Sequence, residues 1–330
     1  MNTEIRYAEA NVLLRAHQYA AAAAILSALA EGEDVANRQT YIGMRDDALM
    51  LERLYADLPA APSATVDDVP ALAPLRAGTP NVVFFHIDFA GKHPFLGGDD
   101  VNYRGVLAAA CGAALKASPG AAITILTNTA TDWAWIDDAQ VQIVRLSLDP
   151  AQMMYGRVRA YRALALSRQL TGPTLFLDTD VVLVRDFMPL FDGTFDIGLT
   201  YRHQTHYFHM PYNEGMILVR DVAGTAAAQF FDEVAGTYDW LAQHPVTTAR
   251  YGFDVRRWRG GQLSLAALMK WKVPASGVED SIHRGVRYRL LPCETYNYSV
   301  KDGANPATLA GKWGLHFKGA APKRLLTQTR

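Results

Sequence analysis

Residues 174–184 read TLFLDTDVVLV, and no other segment constrains the fold as tightly. Leu175, Phe176 and Leu177 form an apolar run suited to a buried strand, and two carboxylates, Asp178 and Asp180, end it. Unpaired carboxylates inside a core are costly, so the strand must stop where both can reach a cleft or a cation. Two carboxylates one residue apart, with a turn between them, can hold one hard divalent ion. Mg²⁺ and Mn²⁺ suit such oxygen ligands and also bridge phosphate oxygens. The plainer alternative is that one Asp caps the next turn and the other is solvated.

The flanking sequence alternates. Residues 81–87, 122–127 and 141–148 are β-rich, while 101–116 and 155–170 carry helical spacing, the latter with an Arg-rich face. Strands alternating with helices imply right-handed crossovers and a mostly parallel sheet, hence an α/β fold. In such sheets the site lies beyond the carboxyl ends of the strands, here just after Ile87, Thr127 and Leu177. Beyond Asp180 the pattern becomes mixed, with strands expected at 196–202, 215–220 and 286–291 and helices at 225–241 and 261–271.

Residues 1–58 read as a small helical hairpin domain, with runs over 4–29 and 37–58. The first is similar to one half of a tetratricopeptide unit, and a single unit makes no repeat array. A packed hairpin is the simpler reading, and a protein partner docking through these helices is the alternative. Residues 59–80 hold five prolines and read as a linker, leaving 81–330 for the main domain. A chain of 330 residues has room for about two domains.

Composition removes several classes. Thirty-two Lys and Arg against thirty-three Asp and Glu give a net charge of −1, without the basic excess of a phosphate-neutralising nucleic-acid binder. Cys111 and Cys293 are too few for a disulfide framework or a four-thiolate zinc site. No transmembrane segment is expected, because no run reaches the roughly 18 apolar residues that cross a bilayer. The expected location is cytoplasmic, with room for peripheral contact at the inner face of a membrane.

An Asp-x-Asp after an apolar strand occurs in two enzyme classes. In haloacid-dehalogenase-like phosphatases it follows the first core strand, and Asp178 would be the nucleophile; here at least three strands precede it. In metal-dependent nucleotide-sugar glycosyltransferases of the GT-A fold it follows about one hundred residues of α/β structure, and residues 81–178 number 98. A sugar-nucleotide pyrophosphorylase would need a Gly-rich N-terminal loop. A degenerate transferase serving as a helical-adaptor scaffold is the non-enzyme alternative.

Over about residues 81–325 the chain resembles the glycogenin and lipopolysaccharide galactosyltransferase group, glycosyltransferase family eight. The resemblance rests on ordered elements: Asp178-Thr179-Asp180 followed by Pro189-Leu190-Phe191, Asn213-Glu214-Gly215, Gly261-Gln262, Tyr296-Asn297-Tyr298, and His316-Phe317-Lys318-Gly319. It implies a GT-A (Rossmann-like) domain that moves a hexose from a UDP-sugar to a hydroxyl of a glycan, lipid or protein acceptor, with retention.

The implied ligands of Mn²⁺ or Mg²⁺ are Asp178, Asp180 and His316. Thr179, Asn213, Gly319 and Lys323 would face the donor, with Lys318 as the fallback for Lys323. Arg159 and Arg162, three apart on one helix, would touch donor phosphate or sugar, and Arg162 would reach the reacting centre. Asp100, Asn102 and Tyr103 would hold the base, in competition with Asp88. Gln262 and Glu214 would line the reacting face. The family's Asp beside the Gln is replaced by Gly261, and Glu214 stands where the family often has a small residue. The His- and aromatic-rich segment 201–212 reads as an acceptor-side loop.

Overall fold

The computed structural model describes residues 3–32, 36–60, 62, 64, 72, 80–88, 101–136, 139–167, 170, 172–203, 205–220, 224–300 and 306–328. Three helices come first: α1 (Thr3–Arg15), α2 (Tyr19–Glu31) and α3 (Arg38–Asp57). Periodicity predicts one helix where α1 and α2 stand. The chain breaks at His17, whose φ of 59° is left-handed. There Gln18 N–H donates to the Leu13 carbonyl at 2.9 Å, a bond that closes a helix end. No Gly or Pro marks the break, so spacing alone misses it.

The main sheet begins with β1 (Asn81–Phe85), and α4 (Tyr103–Ala117) leads to β2 (Ala122–Asn128) and β3 (Val141–Leu146). Helix α5 (Met153–Leu166) precedes β4 (Thr174–Leu177) and β5 (Val181–Leu183). Next come β6 (Ile197–Tyr201), β7 (Tyr212–Val219), α6 (Thr225–Gln243), α7 (Pro245–Tyr251) and α8 (Gly260–Leu268). The chain continues with β8 (Glu279–His283), β9 (Val286–Pro292), α9 (Cys293–Tyr296) and β10 (Tyr298–Ser299). Helix α10 (Pro306–Leu309), β11 (Gly314–His316) and α11 (Ala320–Gln328) complete it.

Eight strands form one sheet in the order β3-β2-β1-β4-β7-β6-β9-β8, and β10-β11-β5 form a second. Strands β3, β2, β1 and β4 are parallel, as the alternating pattern predicts, and β7 joins β4 antiparallel. The predicted α/β class therefore holds. Sequence spacing misses β5, β8, β10 and β11, which are short or edge strands, and the helices α7, α9, α10 and α11.

Strands buried on both faces read as continuous apolar runs, and alternate residues supply two cores. Val83, Phe85 and Phe176 face one side, with Tyr161 and Phe231 of α5 and α6. Val82, Phe84, Leu175 and Leu177 face the other, with Leu107 of α4. The first core is continuous with Leu26, Leu51 and Leu54 of the N-terminal helices. Helix α3 packs on α7, where Asp47 accepts from Arg250 Nε at 2.8 Å.

Candidate active site

Strand β4 delivers Asp178 and Asp180 to the edge of a cavity of about 480 Å³. Strand β11 pairs antiparallel with β5, setting His316 opposite Val181. Phe317 N–H donates to the Asp180 carbonyl at 2.9 Å and locks this register. Ligand atoms of Asp178, Asp180 and His316 all lie within 4.8 Å of one another. Among the described residues no other His, Cys, Asp and Glu group of three does this.

The donor set fits a divalent cation of the Mn²⁺ or Mg²⁺ type: two hard carboxylates and one imidazole. His316 Nδ1 bonds to Asn297 Oδ1 at 3.0 Å, with Nδ1–H donating, and Asn297 Nδ2 donates to Thr200 Oγ1 at 3.3 Å. That outer bond orients the ring so that Nε2 faces Asp180, 3.2 Å away. Gly215 makes room, since a Cβ there would lie 2.7 Å from His316 Cε1 and 3.0 Å from Asp178 Oδ2.

Burial alone would raise the Asp180 carboxyl. His316 and Lys323 outweigh it and hold Asp180 well below the usual carboxylate range. Lys323 Nζ lies 2.8 Å from Asp180 Oδ2 and so reaches the Asp178, Asp180 and His316 cluster. Both lysines line the cavity, as do Thr179, Asn213, Gln262 and Gly319. Asn213 Oδ1 accepts from Gly215 N–H at 2.9 Å, while its buried Nδ2 has no hydrogen-bond partner among the described residues.

The predicted arginines stand away from the cavity lining. Arg162 Nε donates to Asp232 at 2.7 Å, and neither Arg162 nor Arg159 lines the cavity. Arg159 lies 5.8 Å from the Tyr155 ring. Arg157 takes the central place, bonding both Asp178 and Glu214. Arg157, Tyr161 and Leu164 share the buried face of α5, at spacings of four and three, whereas Arg159 and Arg162 are half-buried.

Glu214 is 5 % exposed and fills the space above Gly261, where a Cβ would stand 2.1 Å from Glu214 Oε2. Burial pushes the Glu214 carboxyl up, Arg157 opposes and Asp178 adds to the rise. Gln262 Oε1 accepts from Arg202 Nη1 at 3.0 Å. Arg202, which the sequence reading omits, sits at the end of β6 against Tyr207, 4.7 Å from its ring. Tyr207 and Met210, from the segment 201–212, line the cavity.

At the opposite end Phe85, His86, Ile87 and Tyr103 line the cavity. Asp88 is engaged already: Arg104 bonds both its oxygens and His86 Nε2 lies 3.1 Å from Oδ1. These partners hold its carboxyl below the usual range, His86 acting most strongly. Asn102 is the N-cap of α4, accepting from Gly105 N–H at 2.9 Å, and is not among the residues lining the cavity. Asp100 lies outside the described residues. The expectation for Thr127 is corrected too, since the end of β2 supports Asp88 through Asn128 and Thr131 instead of lining the cavity.

No family profile matches the chain, and no curated protein matches it by sequence. Solved structures do resemble it. The galactosyltransferase LgtC, in complex with donor and acceptor sugar analogs, is 12% identical with a TM-score of 0.41, over 75% of this chain and 94% of its own. A glycosyltransferase involved in the glycosylation of the major capsid of PBCV-1 is 12% identical with a TM-score of 0.43, over 75% and 98%. Mouse xyloside xylosyltransferase 1 in its apo form is 10% identical with a TM-score of 0.41, over 72% and 96%. The structural neighbours of this mixed α/β chain with its N-terminal helices are thus glycosyltransferases.

Proposed function

We propose that the protein is a metal-dependent glycosyltransferase that moves a hexose from a UDP-sugar to a hydroxyl of a glycan, lipid or protein acceptor, with retention. One observation carries the reading: Asp178, Asp180 and His316 converge within 4.8 Å on the wall of a cavity of about 480 Å³, beside Lys323. Bound there, a divalent cation supplies Lewis-acid neutralisation of a leaving diphosphate. Lys323 adds a charge-assisted contact to the same oxygens. Tyr103 offers a ring face for the base, and Asn213 Nδ2 a donor for sugar or phosphate oxygen. Glu214 and Gln262 orient the reacting hydroxyls, while Arg157 holds the Glu214 and Asp178 carboxylates in place.

The phosphatase alternative gains no support, because β4 follows three strands of the sheet and Asp178 is tied to Arg157. Among the described residues no helix is long and apolar enough to cross a membrane. The reading is tested by nucleotide-sugar hydrolysis in Mn²⁺ with Asp180→Ala and His316→Ala. Loss of UDP-sugar turnover in both supports it. Aryl-phosphate hydrolysis independent of nucleotide would overturn it.

A further inference from the structure

We infer that the acceptor carries an anionic group, a carboxylate or phosphate, recognised by Arg202 together with Lys318 and Arg259. The inference rests on the transferase reading and names the substrate class of that site.

The first support is charge accounting. Arg157 is matched by Asp178 and Glu214, and Lys323 by Asp180. Arg202, Lys318 and Arg259 also line the cavity. Among the described residues none of these three has a carboxylate within 4.0 Å. Arg202 is 9 % exposed. Its Nη1 donates to the Met210 carbonyl and to Gln262 Oε1, both neutral, at 3.0 Å. A buried guanidinium without a counter-ion is unfavourable unless a ligand supplies one. A cation at Asp178, Asp180 and His316 would be balanced by the donor diphosphate, and that leaves this surplus in place.

The second support is position. The sheet order runs β1, β4, β7, β6. Phe85 and His86 mark the end of β1, Asp178 and Asp180 follow β4, Asn213 and Glu214 lie on β7, and Arg202 follows β6. Three inter-strand steps span roughly 14 Å. A nucleotide-diphosphate-sugar with its base at β1 and its diphosphate at β4 puts its sugar at β7. The next molecule along the cleft, the acceptor, then meets Arg202. A planar guanidinium pairs bidentately with a carboxylate or phosphate, and that of Arg202 lies over the Tyr207 ring.

The test is isothermal titration of the full chain with Mn²⁺, with and without UDP, using methyl glucuronide, glucose 6-phosphate and neutral methyl glucoside as probes. The two acidic probes separate carboxylate from phosphate. The wild type is expected to bind one acidic sugar about tenfold tighter than the neutral one, a charge-assisted contact weakened by salt. Arg202→Gln and Lys318→Met should bring that preference within about twofold, and Arg202→Lys should keep part of it. UDP affinity should stay at the wild-type value in Arg202→Gln and Arg202→Lys. Equal affinity for acidic and neutral sugars, or binding of neither, overturns the inference. So does an equal loss of UDP affinity in the variants, which would assign these cations to the diphosphate. Failure of the wild type to bind UDP with Mn²⁺ would sink the transferase reading instead, and the titration without UDP reads the anion preference separately.

Discussion

The Glu214 carboxylate occupies the space that a side chain on residue 261 would need, with a Cβ on Gly261 falling 2.1 Å from Oε2. Both residues meet at the cavity wall, one from β7 and one from α8. The family resemblance expects a carboxylate beside Gln262, and here Glu214 brings one to that wall from β7 while residue 261 is a glycine.

Moving the carboxylate back gives the first prediction. Gly261→Ala forces Glu214 aside and should cost about 1–3 kcal/mol, as over-packing does. Glu214→Ala leaves Arg157 one buried partner short and should cost about 3 kcal/mol. The double variant Gly261→Asp/Glu214→Ala restores a carboxylate near Arg157, and its stability and turnover should exceed those of either Glu214→Ala or Gly261→Asp alone. Denaturant midpoints and UDP-sugar turnover check this; a double variant no better than the singles refutes it.

Metal affinity gives the second. Asn297 orients His316, so Asn297→Ala should weaken Mn²⁺ binding about 10–100-fold while UDP alone still binds. Gly215→Ala pushes a methyl into His316 and Asp178 and should do the same. Mn²⁺ titration followed by intrinsic fluorescence reads both. Wild-type affinity in either variant would remove the cluster from consideration as the cation site.

The third concerns acid stability. Burial holds His209 neutral, with Arg259, Arg250, Arg202 and His206 adding to the effect, and its pKa is pushed down to about 3 from 6.5. As pH falls below 6.5 the unfolded chain takes up a proton that the folded chain refuses until about pH 3. Stability should fall across that window, by at most about 1.4 kcal/mol per pH unit for this group. Among the described residues neither ring nitrogen has a hydrogen-bond partner, although Nδ1 comes to 3.3 Å from Asp47 Oδ2 without the alignment of a bond. His209→Leu should flatten the profile between pH 6.5 and 4 in urea titrations. An unchanged slope would rule out His209 as a source of the acid sensitivity.

The fourth concerns the N-terminal helices. Asp47 of α3 is buried and anchors Arg250 of α7, and the two parts share one apolar core. Asp47→Ala should therefore lower the whole melting transition, by about 1–3 kcal/mol for an unsatisfied partly buried partner. Calorimetry should show one transition in the wild type and in the variant. Two separate transitions would mean that the helices fold as an independent adaptor.

The sequence by itself determined the α/β alternation, the end of the buried strand at Asp178 and Asp180, and the break in character after Asp180. These follow from local physics: periodicity sets element type, and carboxylates cannot stay in a core. His316 joined them only through the order of weak motifs, because nothing local distinguishes a ligand histidine from a packed one. Tertiary structure decided the rest. Pairing of β11 with β5 brings His316 to Asp180 from far along the chain, and Asn297 turns its ring. Helix rotation selects Arg157 over Arg159 and Arg162, since the buried face of α5 depends on what packs against it. The break at His17 carries no glycine or proline to announce it. The meeting of Glu214 and Gly261 is invisible in one dimension, because only the fold puts a β7 side chain where an α8 side chain would otherwise stand.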